Sequence, residues 1–485
     1  MALPAENEAP DEAAHINMIN FLKNQKRVPV FNREEKLPAL FFDQKMLSGA
    51  YYSMAYNSPL SYLFYLPFTK NKFEDNSKAG VLPLRAVSAA LVALFAVLLF
   101  LSLAKLRPKE ITSAAAAAIF ISLIPQVIFS AGYVNIEPVG LFFAGLAFYF
   151  LARLITQQKN NFGDFFLLGL TLGFLALCKS NYLILVLALG AIALYKIFAS
   201  EEKTAVKIRN LLFLALPFLA LNLWWWIRNW QLYGDPLIFS HIQKLIQETA
   251  PAWFAPPAKS GYNILTILFK PEFARYSYPG LFAVLGGANI FLPWWFYLIF
   301  YLIVAAAIIR AVFLAFCQRQ DRVVVTWLIV VLIINLAIFA EKNLYDFSPQ
   351  GRHFFPMLIL LAWLIFLGIS GIKSSLARFV IVLFLPLFAV FASLSSLWLL
   401  VDSYYVKGTA YAMAGNFDKI VEGFRWRELG VENYRNLVAF IFIDNTRFFS
   451  AYFVLAYFLL FLILLGWIIK IIVGRNNDTS KKVDV

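Results

Sequence analysis

Long apolar runs constrain the fold of this chain more than any other feature of its sequence. Runs of roughly 18 or more apolar residues begin after Val81, and that length is about what a helix needs to cross a bilayer. The chain is 61% hydrophobic and 14% charged, whereas a soluble protein is about 25% charged. We therefore predict an all-α polytopic membrane protein, a bundle of about eleven transmembrane helices. The predicted spans cover residues 81–104, 111–131, 135–156, 164–178, 181–199, 210–230, 290–314, 323–340, 353–372, 376–401 and 449–473.

One apolar run is too long to be a single span. A helix over residues 164–199 would be about 54 Å long, against a hydrocarbon core of about 30 Å. The only polar break within it is Lys179-Ser180-Asn181. This pattern predicts two short helices joined by a tight turn at Lys179.

Basic residues predict the orientation of the chain. Lysines and arginines collect in every second connection between spans, which is typical of the cytoplasmic side. The net charge of +14 therefore reflects topology, and we expect no nucleic-acid partner. Residues 1–80 then form a first external loop, and residues 81–485 form a transmembrane domain with external loops near 231–289 and 402–448. Because no hydrophobic segment precedes that first loop, we expect a further transmembrane helix upstream of Met1 in the natural gene product.

Ionisable residues from distant parts of the sequence are predicted to meet at the outer membrane boundary. Asp11 and Glu12 lie four and three residues before His15, so a helix would place all three on one face. Acids in the first turn after a proline are also typical of an ordinary helix start. Charges near the membrane usually mark function or paired structure. The other members of this predicted group are Glu137, Lys179, Arg228, Asp235 and Arg352.

Each of these residues also has a structural interpretation. Lys179 could extend its amine to the membrane surface, and Arg228 could stack on neighbouring tryptophans. Glu137 could be an N-terminal acid of a helix, and Asp235 could belong to a simple turn. Arg352 is the least easily explained in this way, because it lies at the mouth of a span predicted to begin outside.

Five short motifs occur in an order that resembles a known group of proteins. The chain resembles the GT-C superfamily of membrane glycosyltransferases. It is most similar to the DUF2142-like proteins, which are related to the protein-mannosyltransferase and aminoarabinose-transferase families. The sequence departs from these proteins in lacking their first transmembrane helix and in having Glu137 where aspartate is common. The motifs are Pro10-Asp11-Glu12-Ala13-Ala14-His15, residues 133–137, Lys179 after a glycine-containing helix, residues 228–236 and residues 350–356.

The resemblance implies transfer of a sugar from a polyprenyl-phosphate donor to an acceptor, with inversion, on the outer face of a bacterial plasma membrane. It implies that Asp11 is the general base, that His15 positions it, and that Glu12 assists catalysis or holds an ion. Lys179, Arg228 and Arg352 would bind the donor phosphate. The acceptor would be a glycan, a lipid or a protein. Residues implied to orient the acceptor or a metal are Tyr133, Asn135, Glu137, Asp235 and Gln350.

Other functions and cofactors stay open on the sequence alone. A flippase for a lipid-linked glycan, or a ligase that transfers a whole glycan, would fit the same composition. The three histidines lack metal-ligand spacing, which argues against zinc. The resemblance allows a divalent cation, Mg²⁺ or Mn²⁺, at the carboxylates. Cys178 and Cys317 are predicted near opposite membrane faces, where they could not pair.

Overall fold

The computed structural model shows an all-α membrane protein. It describes residues 11–30, 54–69, 78–157, 161–249, 256–317, 319–401 and 403. One two-stranded antiparallel hairpin interrupts the helices, with Val284 opposite Phe291 and Leu285 opposite Ile290. The described elements are α1 Glu12–Gln25, α2 Leu60–Leu63, α3 Lys78–Leu106, α4 Ile111–Ser122, α5 Pro125–Ala131, α6 Glu137–Thr156, α7 Phe162–Cys178, α8 Leu183–Ala199, α9 Thr204–Tyr233, α10 Phe239–Thr249, α11 Pro271–Phe282, β1 Val284–Leu285, β2 Ile290–Phe291, α12 Trp294–Cys317, α13 Arg319–Tyr345, α14 Leu358–Ser370 and α15 Ser375–Val401.

Ten of the predicted spans correspond to apolar helices. Within the described residues, eight helices are long and apolar enough to cross a membrane, and the bent pair α4 and α5 makes up to nine. Helix α7 is a shorter apolar helix. Its end at Cys178 and the start of α8 at Leu183 confirm the predicted turn at Lys179. The predicted span 449–473 and the external loop near 402–448 lie outside the described residues, apart from residue 403.

The second predicted span is broken rather than continuous. Helices α4 and α5 meet at 63°, and Pro125 occupies the first turn of α5. Because proline cannot donate to the helical ladder, carbonyl groups before it need other partners. The Ser393 hydroxyl of α15 donates to the Leu123 carbonyl at 2.5 Å and supplies one. The break lets α5 lead directly into residues 132–136, which carry one of the predicted motifs.

Helix α14 forms the centre of the bundle. Every residue from Leu358 to Ile369 is buried, as expected for a helix that is apolar on all sides. Leucine and isoleucine fill most of its length, so it packs against several neighbours at once. The 3₁₀ segment Gly351–Met357 precedes it without a break, so the central helix fixes the position of Arg352.

Contacts between connections define two ends of the bundle. At one end, which we call the site end, the connection after α5 bonds α1, and the turn at Lys179 bonds the start of α6. At the other end, Arg378 pairs with Glu110 at 3.0 Å, and Arg310 donates to the Gly371 carbonyl at 2.6 Å. The site end therefore gathers segments that are remote from each other in the sequence.

Candidate functional site

Asp11 and Arg352 form an ion pair at the site end. Arg352 Nη2 donates to Asp11 Oδ2 at 2.7 Å, although the two residues are 341 positions apart in the sequence. The side chain of Asp11 is 39% exposed and that of Arg352 is 11% exposed. The pair therefore lies at a surface that a ligand could reach, with one face of the carboxylate open to solvent.

The backbone of Asp11 turns its carboxylate away from the helix that follows. Asp11 is the N-cap residue of α1, but its φ of 62° lies in the left-handed region and its side chain makes no capping bond. Aspartate adopts this conformation more readily than most residues, and such backbone geometry often occurs at functional sites. The sequence predicted acids inside the first turn, whereas the structure begins the helix one residue later and frees Asp11 for Arg352.

Arg352 is held from three directions. Its Nη1 donates to the Tyr133 hydroxyl at 3.0 Å, and its Nε donates to Gln350 Oε1 at 2.6 Å. The segment also packs tightly on α11, because a Cβ at Gly351 would lie 2.1 Å from the Gly280 carbonyl carbon. Only glycine permits this approach of two backbones. Tyr133 and Gln350 thus position the guanidinium. Their implied role in orienting an acceptor or a metal stays a prediction.

Glu12 lies in a buried ion pair with Arg85. Arg85 Nη2 donates to Glu12 Oε2 at 2.6 Å, and the two side chains are 6% and 4% exposed. Arg85 Nε and the Val134 backbone amide both donate to Glu12 Oε1 at 2.8 Å. Glu12 therefore ties α1 to α3 and to the connection after α5. The catalytic or ion-holding role implied by the resemblance stays a prediction. Arg85 was not among the predicted site residues, although a cation within an apolar run often indicates function or a paired charge.

Lys179 and Glu137 form a third ion pair. Lys179 Nζ donates to Glu137 Oε1, and the Tyr182 hydroxyl donates to Glu137 Oε2 at 3.4 Å. Asn135 holds the backbone of Glu137 in place. Its Oδ1 accepts a hydrogen bond from the Glu137 amide at 2.8 Å, and its Nδ2 donates to the Ser130 carbonyl at 2.8 Å. Asn135 therefore shapes the start of α6 and has no donor left for an acceptor.

His15 contacts a tyrosine rather than the neighbouring acid. Its Nδ1 lies 2.9 Å from the Tyr62 hydroxyl, and both groups are buried. Burial lowers the pKa of His15 to about 3, so the ring is neutral at physiological pH. The His15 backbone amide donates to the Asp11 carbonyl at 3.0 Å, but the described contacts of its ring include no hydrogen bond to the Asp11 carboxylate. The ring instead fixes α1 on the segment 54–69.

Arg228 and Asp235 are not drawn into the cluster by the contacts of the described residues. Arg228 Nη2 donates to the Pro29 carbonyl at 2.7 Å, and its guanidinium lies 5.0 Å from the Trp225 ring centroid. Asp235 accepts the backbone amides of Leu237 and Ser240 at 2.9 and 2.7 Å. Both side chains make the local contacts that their structural interpretations predicted, stacking for Arg228 and a turn for Asp235. The phosphate-binding and orienting roles implied by the resemblance stay predictions.

The electrostatics of the cluster keep its acid ionised. Burial tends to raise the pKa of Asp11, but the neighbouring positive groups, with the charge and hydrogen bond of Arg352 foremost, together hold it below its ordinary value. Burial lowers the pKa of Lys179, although Glu137 opposes that shift. Burial raises the pKa of Tyr133 to about 12, so its hydroxyl stays protonated beside Arg352. The arrangement thus offers an ionised, half-exposed carboxylate next to two cations.

The donor set does not fit a divalent cation held by protein ligands alone. The described residues contain no group of three or more acidic, histidine or cysteine side chains that could hold a metal ion. Glu12, Glu137 and Asp11 are each paired with a cation of the protein. A second positive charge would have to compete with those pairs. The described side chains therefore do not provide a site for a divalent cation without breaking these pairs.

One family of known proteins matches part of this chain. Residues 54–233 match a model of the dolichyl-phosphate-mannose-protein mannosyltransferase family, and that region contains α2 through α9 with Tyr133, Glu137 and Lys179. Searches of curated proteins and of solved structures found no match. The match agrees with the resemblance to the GT-C superfamily over this part of the chain, and together with the all-α membrane fold it supports a membrane glycosyltransferase.

Proposed function

We propose that this protein transfers a sugar from a polyprenyl-phosphate donor to an acceptor hydroxyl on the external face of the plasma membrane. The ion pair of Asp11 with Arg352 is the observation on which the proposal depends. In this pair a carboxylate lies beside a cation, and these are the two kinds of group that a general base and a phosphate site require. The matched family is named for dolichyl-phosphate-mannose, a sugar carried on a lipid phosphate, which supports the donor class.

The donor phosphate binds Arg352 and Lys179. A planar guanidinium suits the oxygens of a phosphate, and an amine adds a point charge. In the absence of donor these cations are neutralised by Asp11 and Glu137. An arriving phosphate competes for Arg352, weakens its hold on Asp11 and frees that carboxylate. The two cations then stabilise the charge that grows on the phosphate as the glycosidic bond breaks.

Asp11 removes the proton of the acceptor hydroxyl. The acceptor oxygen forms a bond to the anomeric carbon, and the bond from that carbon to the phosphate oxygen breaks. The proton passes to the Asp11 carboxylate, and polyprenyl phosphate leaves as an anion. Because the leaving group is already a stable anion, no second acid has to protonate it, unlike in glycoside hydrolysis. Inversion requires the acceptor to approach from the side opposite the phosphate, and the open face of Asp11 supports this order.

The test is transfer by an Asp11→Asn variant in membranes supplied with polyprenyl-phosphate sugars. Asparagine keeps the shape of the side chain and also tolerates the left-handed backbone, so folding should persist. Loss of a general base should reduce the rate about 10²- to 10⁴-fold.

Glu272→Gln is the matched control. Glu272, in α11, pairs with Lys270, which immediately precedes that helix. Its described contacts do not include Asp11 or Arg352. We expect this variant to keep the activity of the unmodified protein. A rate for Asp11→Asn within a few-fold of the control would exclude Asp11 as the base. Detection of an intact lipid-linked sugar crossing the bilayer, without transfer, would instead favour a flippase.

A further inference from the structure

Two buried polar atoms, in residues close to Lys179 and Arg352 in the sequence, have no hydrogen-bond partner within the described part of the chain. They are Nε2 of His353 and Oδ1 of Asn181. Leaving such an atom buried and unpaired is unfavourable, and it persists in proteins mainly where it has a functional or solvent partner. These two atoms are therefore candidates for contact with a ligand.

Both residues are held next to the groups that the proposed function assigns to phosphate. Asn181 follows Lys179 by two positions, and His353 directly follows Arg352. Asn181 Nδ2 donates to the His353 backbone carbonyl at 3.2 Å, which joins the two turns. The charges of Lys179 and Arg352 both act on the His353 ring. A ligand bound through its phosphate at those cations would bring its next chemical group close to Asn181 and His353.

The chemistry of the two atoms distinguishes a hydroxyl from a phosphate. The side-chain oxygen of Asn181 can only accept a hydrogen bond, because an amide oxygen carries no proton. A phosphate diester carries no proton to donate and would be repelled by that oxygen. A sugar hydroxyl can donate to Asn181 Oδ1, and a histidine ring nitrogen can donate or accept according to its tautomer.

We infer that Asn181 and His353 form a subsite that binds a hydroxyl group of the donor sugar. The inference rests on the proposed function, which places the donor phosphate on Lys179 and Arg352. The ring of His353 is supported from the other side by Phe339, whose ring centroid lies 5.9 Å away. The subsite thus contributes to recognition of the sugar without taking part in bond breaking.

The experiment measures lipid binding without acceptor, by native mass spectrometry of the purified full chain. The probes are undecaprenyl phosphate, undecaprenyl phosphate mannose and undecaprenyl phosphate glucose. We expect the unmodified protein to prefer at least one sugar-bearing lipid over the bare lipid phosphate. Asn181→Leu and His353→Phe should each reduce that preference about tenfold, as loss of one hydrogen bond does, while binding of undecaprenyl phosphate stays unchanged.

Two further variants separate recognition from folding. Asn181→Asp keeps an acceptor oxygen and should retain most of the sugar preference. Asn335→Leu removes another buried amide whose oxygen has no partner among the described residues, on helix α13, and should leave the preference unchanged. If the leucine variant at position 181 does not fold, Asn181→Ala provides the same comparison.

The results separate this inference from the proposed function. An unchanged preference in both Asn181→Leu and His353→Phe, or an equal loss of both lipid classes, would overturn the subsite alone. Lys179→Met should weaken the bare and the sugar-bearing lipids alike, because it acts on the phosphate. A protein that binds none of the three lipids would overturn the proposed function and the subsite together.

Discussion

A low pKa makes Asp11 a weak base in the free protein, and this bears on how the site would work. A carboxylate held below its ordinary pKa is ionised at neutral pH but accepts a proton less readily. Pairing of Arg352 with a phosphate anion would remove the main influence that lowers this pKa. The base would then become stronger only after the donor has bound, which couples proton removal to the presence of both substrates.

The first prediction concerns the pH dependence of an Arg352→Gln variant. The active form of Asp11 is the ionised carboxylate, which is present above its pKa and is lost as the pH falls through it. In the unmodified protein the acid limb of kcat/KM should therefore lie below the ordinary pKa of 3.8. Without Arg352 the pKa of Asp11 rises, so the acid limb should move to higher pH. The plateau of kcat/KM should also fall about 10²- to 10³-fold.

The measurement is a profile of kcat/KM against pH for the unmodified protein and for Arg352→Gln, with Glu272→Gln as control. The control should keep the limb of the unmodified protein, since Glu272 makes its ion pair with Lys270. An acid limb at the same pH with and without Arg352 would contradict the coupling of these two side chains.

At the scale of elements, helix α1 is fixed to the transmembrane bundle by buried polar contacts rather than by an apolar stripe. Asn17 and Asn20 are buried along with the apolar residues of this helix. Glu12 joins it to Arg85 of α3, and Lys23 Nζ donates to the Thr69 carbonyl at 2.8 Å. Because Asp11 immediately precedes Glu12, this anchor decides where the carboxylate lies.

The second prediction concerns Glu12→Gln. This change leaves the buried charge of Arg85 without its counterion, and breaking a buried pair in this way costs about 3–5 kcal/mol. We expect a marked fall in the melting temperature of the detergent-purified protein, accompanied by lost activity. The double variant Glu12→Gln with Arg85→Met removes the unpaired charge, and the new side-chain carbonyl at position 12 can still accept the Val134 amide. It should recover much of the melting temperature.

Equal melting temperatures for Glu12→Gln and the unmodified protein would show that the pair does not anchor α1. Recovery of stability without recovery of activity in the double variant would point to a direct catalytic use of Glu12. That result would support the role that the resemblance implied for it.

Apolar length and the polar break at Lys179 were enough to predict the helices, whereas the details of the site needed three dimensions. Hydropathy could not show that Pro125 bends the second span, because no charged residue interrupts the run from 111 to 131. Nor could it pair Glu12 with Arg85, since the partner lies 73 positions away. The convergence of Asp11, Glu137, Lys179 and Arg352 was predicted, while the local use of Arg228 and Asp235 depended on turn geometry and stacking.

For the whole molecule, the two ends of the bundle differ in their ion pairs. The site end holds the pairs Asp11–Arg352, Glu12–Arg85 and Glu137–Lys179. The other end holds Arg378–Glu110 and Arg153–Asp164, together with Arg310 on a backbone carbonyl. Many further lysines and arginines lie in or next to the connections at that second end, such as Lys203 and Lys207. This asymmetry is typical of a cytoplasmic face and supports an external position for the site end.

The last prediction tests this orientation with cysteines. Cys317 is exposed at the end of α12 opposite the site, whereas Cys178 is buried at the site end. In intact cells a membrane-impermeant maleimide should label a Glu272→Cys variant that also carries Cys317→Ser. The unmodified protein should label at Cys317 only after the membrane is permeabilised. Labelling of Cys317 in intact cells, with position 272 protected, would place the site inside; donors would then have to be presented from the cytoplasm, contrary to the proposed external transfer.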